Sequence, residues 1–449
     1  MNIQTTGVYQ VPIGEMLKNF LKVLLLFNFL NPSIAQSDLD EALREIIIKN
    51  DLKPLDTPAR SPKDLTRLGA MLFSNKLLSG PESKSCADCH HPRLGTTDGI
   101  AFSLGVEAQT NPDITPNITK RNSPPVFNLG YDDIPFMFWD GRVHYDKESK
   151  VFTTPEPALN GDNPKREDIT KVMTSALAAQ TIFPIANHLE MRGTSGNPIA
   201  DAKGNLGAWQ EVLKRLLKNN PRSDRYMAQF KKAYPGETNF NIGHVGEALG
   251  SFLKDSFTLV DTPYDRYLKG DSSALKPSEK RGLIVFAGRG KCIKCHNGRH
   301  LSNFEFKTVA TPQLTPEGYP EPYDQGRFEV TGVKSDLFKF RTPALRNVAL
   351  TSPYMHNGSL RTLEDVIDHY NDPSLSIENY DLTGADLSMY PAQNFVIDRD
   401  ARRNKLRVNL ISIGEVRRGI NLTEEEKKDL ISFLKRGLLD YRFHRQWGY

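Results

Sequence analysis

Two short stretches constrain this chain more than anything else in it. Cys86-Ala87-Asp88-Cys89-His90 and Cys292-Ile293-Lys294-Cys295-His296 share one pattern, two cysteines three apart with a histidine directly after the second. This is the attachment pattern of c-type haem. Each thiol adds to one vinyl group of the porphyrin, which fixes the ring beside the backbone, and the histidine then falls under the iron. The chain has four cysteines and the two motifs use all of them, so no structural disulfide is available. Two halves of a zinc site are the competing reading, but zinc asks for no histidine directly after each second cysteine. The pattern predicts two covalent c-type haems. Cys86, Cys89, Cys292 and Cys295 attach them, and His90 and His296 are iron ligands.

The rest of the sequence sets bounds. A chain of 449 residues is too long for one small core, so two or three domains are expected. A formal net charge of +4 implies no strong pull toward nucleic acid. Leu17 to Leu30 is apolar and Phe-rich, and Ser33-Ile34-Ala35 follows as a small-x-small cleavage signature. Residues 1–35 therefore read as a signal peptide with a long leading region. An uncleaved membrane anchor is the alternative. Export to the periplasm agrees with the haem motifs, because c-type haem is attached outside the cytoplasm.

Periodic apolar positions predict helices over residues 36–50, 65–72, 206–218 and 241–260. A shorter helical run is expected from Arg166 to Ala179. Pro54, Pro58 and Pro62 break the chain into a loop. Near the C-terminus Thr423 and Glu426 form a capping box ahead of another helix. The expected units are 36–270 and 271–436, each with one haem motif, followed by a basic aromatic tail at 437–449.

Around and beyond the motifs, longer stretches share a wider pattern. They include Leu68-Gly69-Ala70-Met71-Leu72-Phe73, Arg121-Asn122-Ser123-Pro124-Pro125-Val126-Phe127-Asn128 and Phe138-Trp139-Asp140-Gly141-Arg142. Phe183-Pro184-Ile185 with Glu190-Met191, Pro263-Tyr264-Asp265-Arg266-Tyr267, Leu345-Arg346-Asn347-Val348 and Pro353-Tyr354-Met355-His356-Asn357-Gly358 continue it. From about residue 65 to 436 the chain resembles, collinearly, the bacterial di-haem cytochrome c peroxidase/MauG family. The resemblance implies a mainly α fold of two cytochrome c-like haem domains packed against each other, with long loops and little β. It also implies a haem peroxidase that takes hydrogen peroxide at the first haem and relays electrons from the second.

Site residues follow from the resemblance one by one. Family members that need reductive activation carry a histidine sixteen positions after the first haem histidine. Here that position is Val106, within Ser103-Leu104-Gly105-Val106, and valine cannot ligate iron. The first haem is expected to be open, with His144 or His188 as the alternative ligands, while His91 is poorly placed to reach the opposite face. Glu190 matches the family's distal acid–base carboxylate, with Pro184 and Gln180 at the matching spacings. Such a group moves a proton between the two peroxide oxygens. Trp139 matches the aromatic bridge between the haems.

Trp139 and Glu190 lie 51 positions apart, which implies an insert of roughly thirty residues at about 143–175. It is expected as a surface excursion near the access route, with a second loop at 193–207. Tyr370, fourteen positions after His356, matches the distal ligand of the second haem in MauG-like members. His369 and Met389 are the alternatives. Asn122, Thr351 and Pro353 match the family's structural calcium ligands. The implied partners are hydrogen peroxide and a small electron-donor cytochrome or cupredoxin. Three other functions compete: MauG-like oxidation of a partner protein's side chain, pure electron transfer, and oxygenation with dioxygen at the open haem.

Overall fold

The computed structural model describes residues 32–108, 118–390 and 393–443. The expected signal peptide lies outside them except for its last positions, which begin a helix. Helices dominate and the strands are two to four residues long. The main helices are α1 (Pro32–Lys49), α2 (Lys63–Phe73), α3 (Ala176–Ala186), α4 (Gly204–Leu217), α5 (Ser223–Ala233), α6 (Ile242–Ser256), α7 (Pro277–Ala287), α8 (Leu363–Asn371) and α9 (Glu424–Ser432). Three small antiparallel sheets join them, the largest pairing Phe136–Met137, Val143–Asp146 and Val151–Thr153. Among the described residues no helix is long and apolar enough to cross a membrane.

The apolar residues gather into two main clusters. The first is built on α2, α3, α4 and α6, with Leu68, Leu72, Ile182, Trp209, Val245 and Leu249 buried in it. Small residues set the helix distances there. A Cβ on Gly69 would stand 1.9 Å from the Ala248 carbonyl oxygen, so α2 and α6 touch at their backbones. Trp209 is fully enclosed and its indole donates to the Ile182 carbonyl at 2.9 Å, as expected for a packing residue. The second cluster is built on α7, α8 and α9, with Leu283, Phe286, Ile367, Leu430 and Phe433 at its centre. The capping box of α9 forms as read: Glu426 N donates to Thr423 Oγ1 at 3.2 Å, and Thr423 N donates to Glu426 Oε2 at 2.8 Å.

Three boundary readings need correcting. Helix α1 was expected to open the first unit, yet Leu43 and Leu52 are buried in the second cluster. The reason is a buried polar staple. The Lys280 ammonium on α7 meets the Asp40 carboxylate on α1 at 2.5 Å, and Tyr267 Oη donates to the same carboxylate at 2.7 Å. The segment set apart as a tail begins inside the core, because Leu438 packs in the second cluster and Phe443 in the first. The insert at 143–175 is not a surface excursion. It supplies Val143, Phe152, Leu159, Ile169 and Met173 to the first cluster. Its helical run is broken into Glu167–Thr170 and α3, with turns between.

Candidate haem sites and the residue between them

Each cysteine–histidine motif walls its own cavity. The first, about 330 Å³, is lined by Cys86, Cys89 and His90. The second, about 210 Å³, is lined by Cys292, Cys295 and His296. The two motifs are thus not halves of one zinc site, and no cluster of three or more metal-binding His, Cys, Asp or Glu side chains occurs among the described residues. Both histidines are set up alike. His90 Nδ1 lies 3.1 Å from the Thr96 carbonyl, and His296 Nδ1 lies 3.1 Å from the Leu301 carbonyl. That contact fixes each tautomer and leaves Nε2 free for a metal. Burial pushes His296 down to about 4 and His90 below its ordinary value, which favours the neutral ring at both.

The far wall of the first cavity brings Gln180, Pro184 and Glu190 together. Pro184 sits inside α3 and has no N–H to give the Gln180 carbonyl four residues back. After α3 the chain makes a π turn, His188–Arg192, a form found often at functional sites. Asn187 caps it, its Oδ1 accepting from Leu189 N at 2.9 Å and Glu190 N at 3.2 Å. The turn aims Glu190 into the cavity. Enclosure there raises the Glu190 carboxyl above its usual range, the Arg142 guanidinium pulls it back, and Asp140 pushes with the enclosure.

Val106 stands against this turn. Its N–H donates to the Glu190 carbonyl at 3.2 Å, and its side chain is buried without lining the cavity. The neighbouring glycine makes the approach feasible: a Cβ on Gly105 would fall 1.4 Å from the Leu189 carbonyl oxygen. We expect Gly105→Ala to cost about 1–3 kcal/mol through this clash, seen as a lower denaturation midpoint, and to slow peroxide turnover by displacing Glu190. Unchanged stability and turnover would show that the turn yields freely.

Among the described residues no second histidine lines the first cavity. His144 stacks on Phe136 with ring centres 4.5 Å apart. His188 Nδ1 lies 2.6 Å from the Gly193 carbonyl, and His91 Nδ1 accepts from Arg93 N at 3.2 Å. Across the second cavity, Tyr370 is a lining residue. Its competitors are not. His369 has Nδ1 on Ser376 Oγ at 2.9 Å and Nε2 on the Val309 carbonyl at 2.8 Å, while Met389 is 50% exposed.

Trp139 lines both cavities, as does Asn122. The indole donates to the Asn122 carbonyl at 2.8 Å. The Asn122 amide donates to the Ile100 carbonyl at 2.7 Å, so its Oδ1 points elsewhere. Thr351 and Pro353 line the second cavity beside it, an oxygen set compatible with calcium.

Some site residues carried no role in the sequence reading. Arg142 belongs to the Trp-Asp-Gly-Arg stretch, and the structure gives it work. Its Nη2 lies 3.7 Å from Glu190 Oε1, its Nη1 lies 3.2 Å from Asp140 Oδ2, and it covers the Phe138 ring at 3.8 Å. Tyr319 and Glu329, from the second half, complete the wall of the first cavity. No local pattern marks them. The insert at 143–175 contributes no residue to that wall.

A mainly helical chain with two separate cavities, each walled by one Cys-x-x-Cys-His motif, defines a di-haem c-type cytochrome. Comparison with known proteins narrows this class. Residues 63–273 match the family model for di-haem cytochrome c peroxidase. Cytochrome c551 peroxidase of Pseudomonas aeruginosa is 29% identical over 363 residues, covering 80% of this chain and 84% of that one. Methylamine utilization protein MauG of Methylorubrum extorquens is 29% identical over 318 residues, covering 69% and 71%. The crystal structure of a MauG-like protein associated with microbial copper homeostasis superposes with a TM-score of 0.59 at 26% identity, covering 88% of this chain and 96% of that one. The chain is thus similar to the di-haem cytochrome c peroxidase/MauG family over most of its length.

Proposed function

We propose that this protein is a periplasmic peroxidase that reduces hydrogen peroxide at the first site with electrons relayed through the second. One observation supports it most. Among the described residues, the cavity of the first motif presents the Glu190 carboxylate and no histidine other than His90. A pure electron-transfer cytochrome would have no task for a carboxylate enclosed in that place.

Bound haem supplies an iron centre that accepts peroxide and exchanges electrons. Cys86, Cys89 and His90 would hold the first, and Cys292, Cys295, His296 and Tyr370 the second. Glu190 takes the proton from the near peroxide oxygen and returns it to the far one, so that the O–O bond breaks with water as leaving group. Gln180 and Pro184 wall the space beside it and keep bulk water out. Arg142 holds the Glu190 carboxylate in place between proton transfers. Trp139 stands between the sites and carries an electron from one to the other, its indole fixed by the Asn122 carbonyl. Asn122 Oδ1 and the carbonyls of Thr351 and Pro353 would hold a structural calcium. The donor is a small cytochrome or cupredoxin.

Val106 and Tyr370 also support a second reading, MauG-like oxidation of a partner protein's side chain. Both readings share the open first site. The fully oxidised protein is therefore expected to react with peroxide without prior reduction, followed by stopped-flow spectra of both haems. A protein that stays inert until one haem is reduced would overturn the reading of Val106. To separate the two substrates, peroxide consumption is compared with a reduced cytochrome or cupredoxin and with a candidate protein substrate.

A further inference from the structure

Four arginines are fully buried among the described residues: Arg192, Arg341, Arg346 and Arg407. A buried guanidinium needs its N–H groups satisfied and its charge balanced. Three of the four find an acceptor for at least one terminal nitrogen, and two of these, Arg346 and Arg407, also face a carboxylate. Arg346 pairs with Asp265 at 2.7 Å, and Arg407 with Asp398 at 2.7 Å. Arg192 gives its N–H groups to the carbonyls of Ile199, Ala200 and Ala202.

Arg341 does not. Its side chain makes one hydrogen bond, from Nε to the Phe138 carbonyl at 3.1 Å. Neither terminal nitrogen has an acceptor among the described residues, and no carboxylate there forms an ion pair with it. Burial pulls the group down to about 10, opposed only by the more distant Asp140. The residue lines the second cavity. Lys291 and Lys307 reach the same cavity from partly exposed positions, and Lys307 is already held by Glu305 at 2.7 Å. His356, which also lines it, has a buried Nε2 without a partner.

We propose that Arg341 binds a carboxylate of the porphyrin in the second cavity, through its terminal N–H groups. Haem carries two propionates, and a planar guanidinium matches a carboxylate by paired hydrogen bonds. The same arginine holds the bridge segment. Its backbone N–H donates to the Trp139 carbonyl at 2.8 Å, and its side chain to the neighbouring Phe138 carbonyl. Arg341 thus ties the second haem's edge to the backbone that carries Trp139. It also places a fixed positive charge beside that haem, which favours the reduced state. The proposal rests on the di-haem reading and adds to it a residue that sets the second haem's potential.

The test uses the haem-loaded protein with Arg341→Met and Arg341→Lys. The haem count, redox titrations of both haems and the resonance Raman propionate bending band are recorded. In Arg341→Met the reduced-to-oxidised ratio of the second haem at fixed poise should fall at least tenfold, about 59 mV for one electron. The first haem should hold its value, the propionate band should shift, and Arg341→Lys should recover part of both changes. An Arg341→Met protein with two haems, an unchanged second potential and an unchanged band would overturn the proposal. Should that variant lose its second haem, Arg341→Lys decides alone: an unmoved band overturns the pairing and a shifted one supports it. Fewer than two haems in the unsubstituted protein would instead overturn the di-haem reading.

Discussion

Glu190→Gln should slow peroxide turnover by roughly a hundredfold or more, the scale of a lost acid–base group, while both haems remain attached. Glutamine keeps the volume, and the hydrogen bond from Val106 survives because it goes to the backbone carbonyl. What glutamine lacks is a proton that can leave and return. The pH profile sharpens the expectation. Glu190 must first be a base, so turnover falls as pH drops through its pKa. Enclosure raises that pKa and Arg142 opposes the rise, the net being upward. The acid limb should therefore lie above the ordinary glutamate value, and the variant should lack this limb. A variant as fast as the unsubstituted protein across the pH range would remove Glu190 from the chemistry.

Tyr370→Met should raise the second haem's potential by about a tenth of a volt or more, a modest part of the range that axial ligands span. A phenolate is a hard anion and stabilises oxidised iron, whereas a thioether favours reduced iron. Methionine fits the space, since Tyr370 packs among the apolar side chains of the second cluster. The neighbouring His369 cannot easily substitute, with both ring nitrogens already engaged. Potentiometric titration of both haems decides it. A second-haem potential that does not move would mean that Tyr370 is a packing residue. Together with the Arg341 variants, this separates ligand identity from nearby charge as controls on one potential.

The features legible in the sequence were mostly those written over a few consecutive residues. The haem motifs, the α9 capping box and the periodic faces of α2, α4 and α6 depend on neighbours in the chain, so spacing reveals them. Collinear resemblance extended this to Gln180, Pro184, Glu190, Trp139 and Tyr370, which the structure places on the walls of the two cavities. Contacts between distant segments were not legible. Nothing in Tyr319 or Glu329 announces that they complete the wall of the first cavity. The pairing of Arg142 with Glu190 crosses the insert, and the insert's apolar residues look no different from those of a loop until Phe152 and Ile169 are seen inside the core. Gly105 is a similar case, since its need for space comes from the Leu189 carbonyl on another turn.

The staple between α1 and α7 bears on how the molecule is made. Asp40 and Lys280 are 240 positions apart (280 − 40), so α1 waits for most of the chain before its partner exists. Contacts of such long sequence separation carry a large loop-closure cost and form late. Until then Leu43 and its apolar neighbours on α1 have no core to enter. Thr96, whose carbonyl fixes His90, and the turn that Asn187 caps lie between the two halves of the staple and can assemble beforehand. The second apolar cluster closes only when α7 is present, and its closure captures α1. Folding of this protein thus has a direction, from the first apolar cluster outward, with α1 docking among the last.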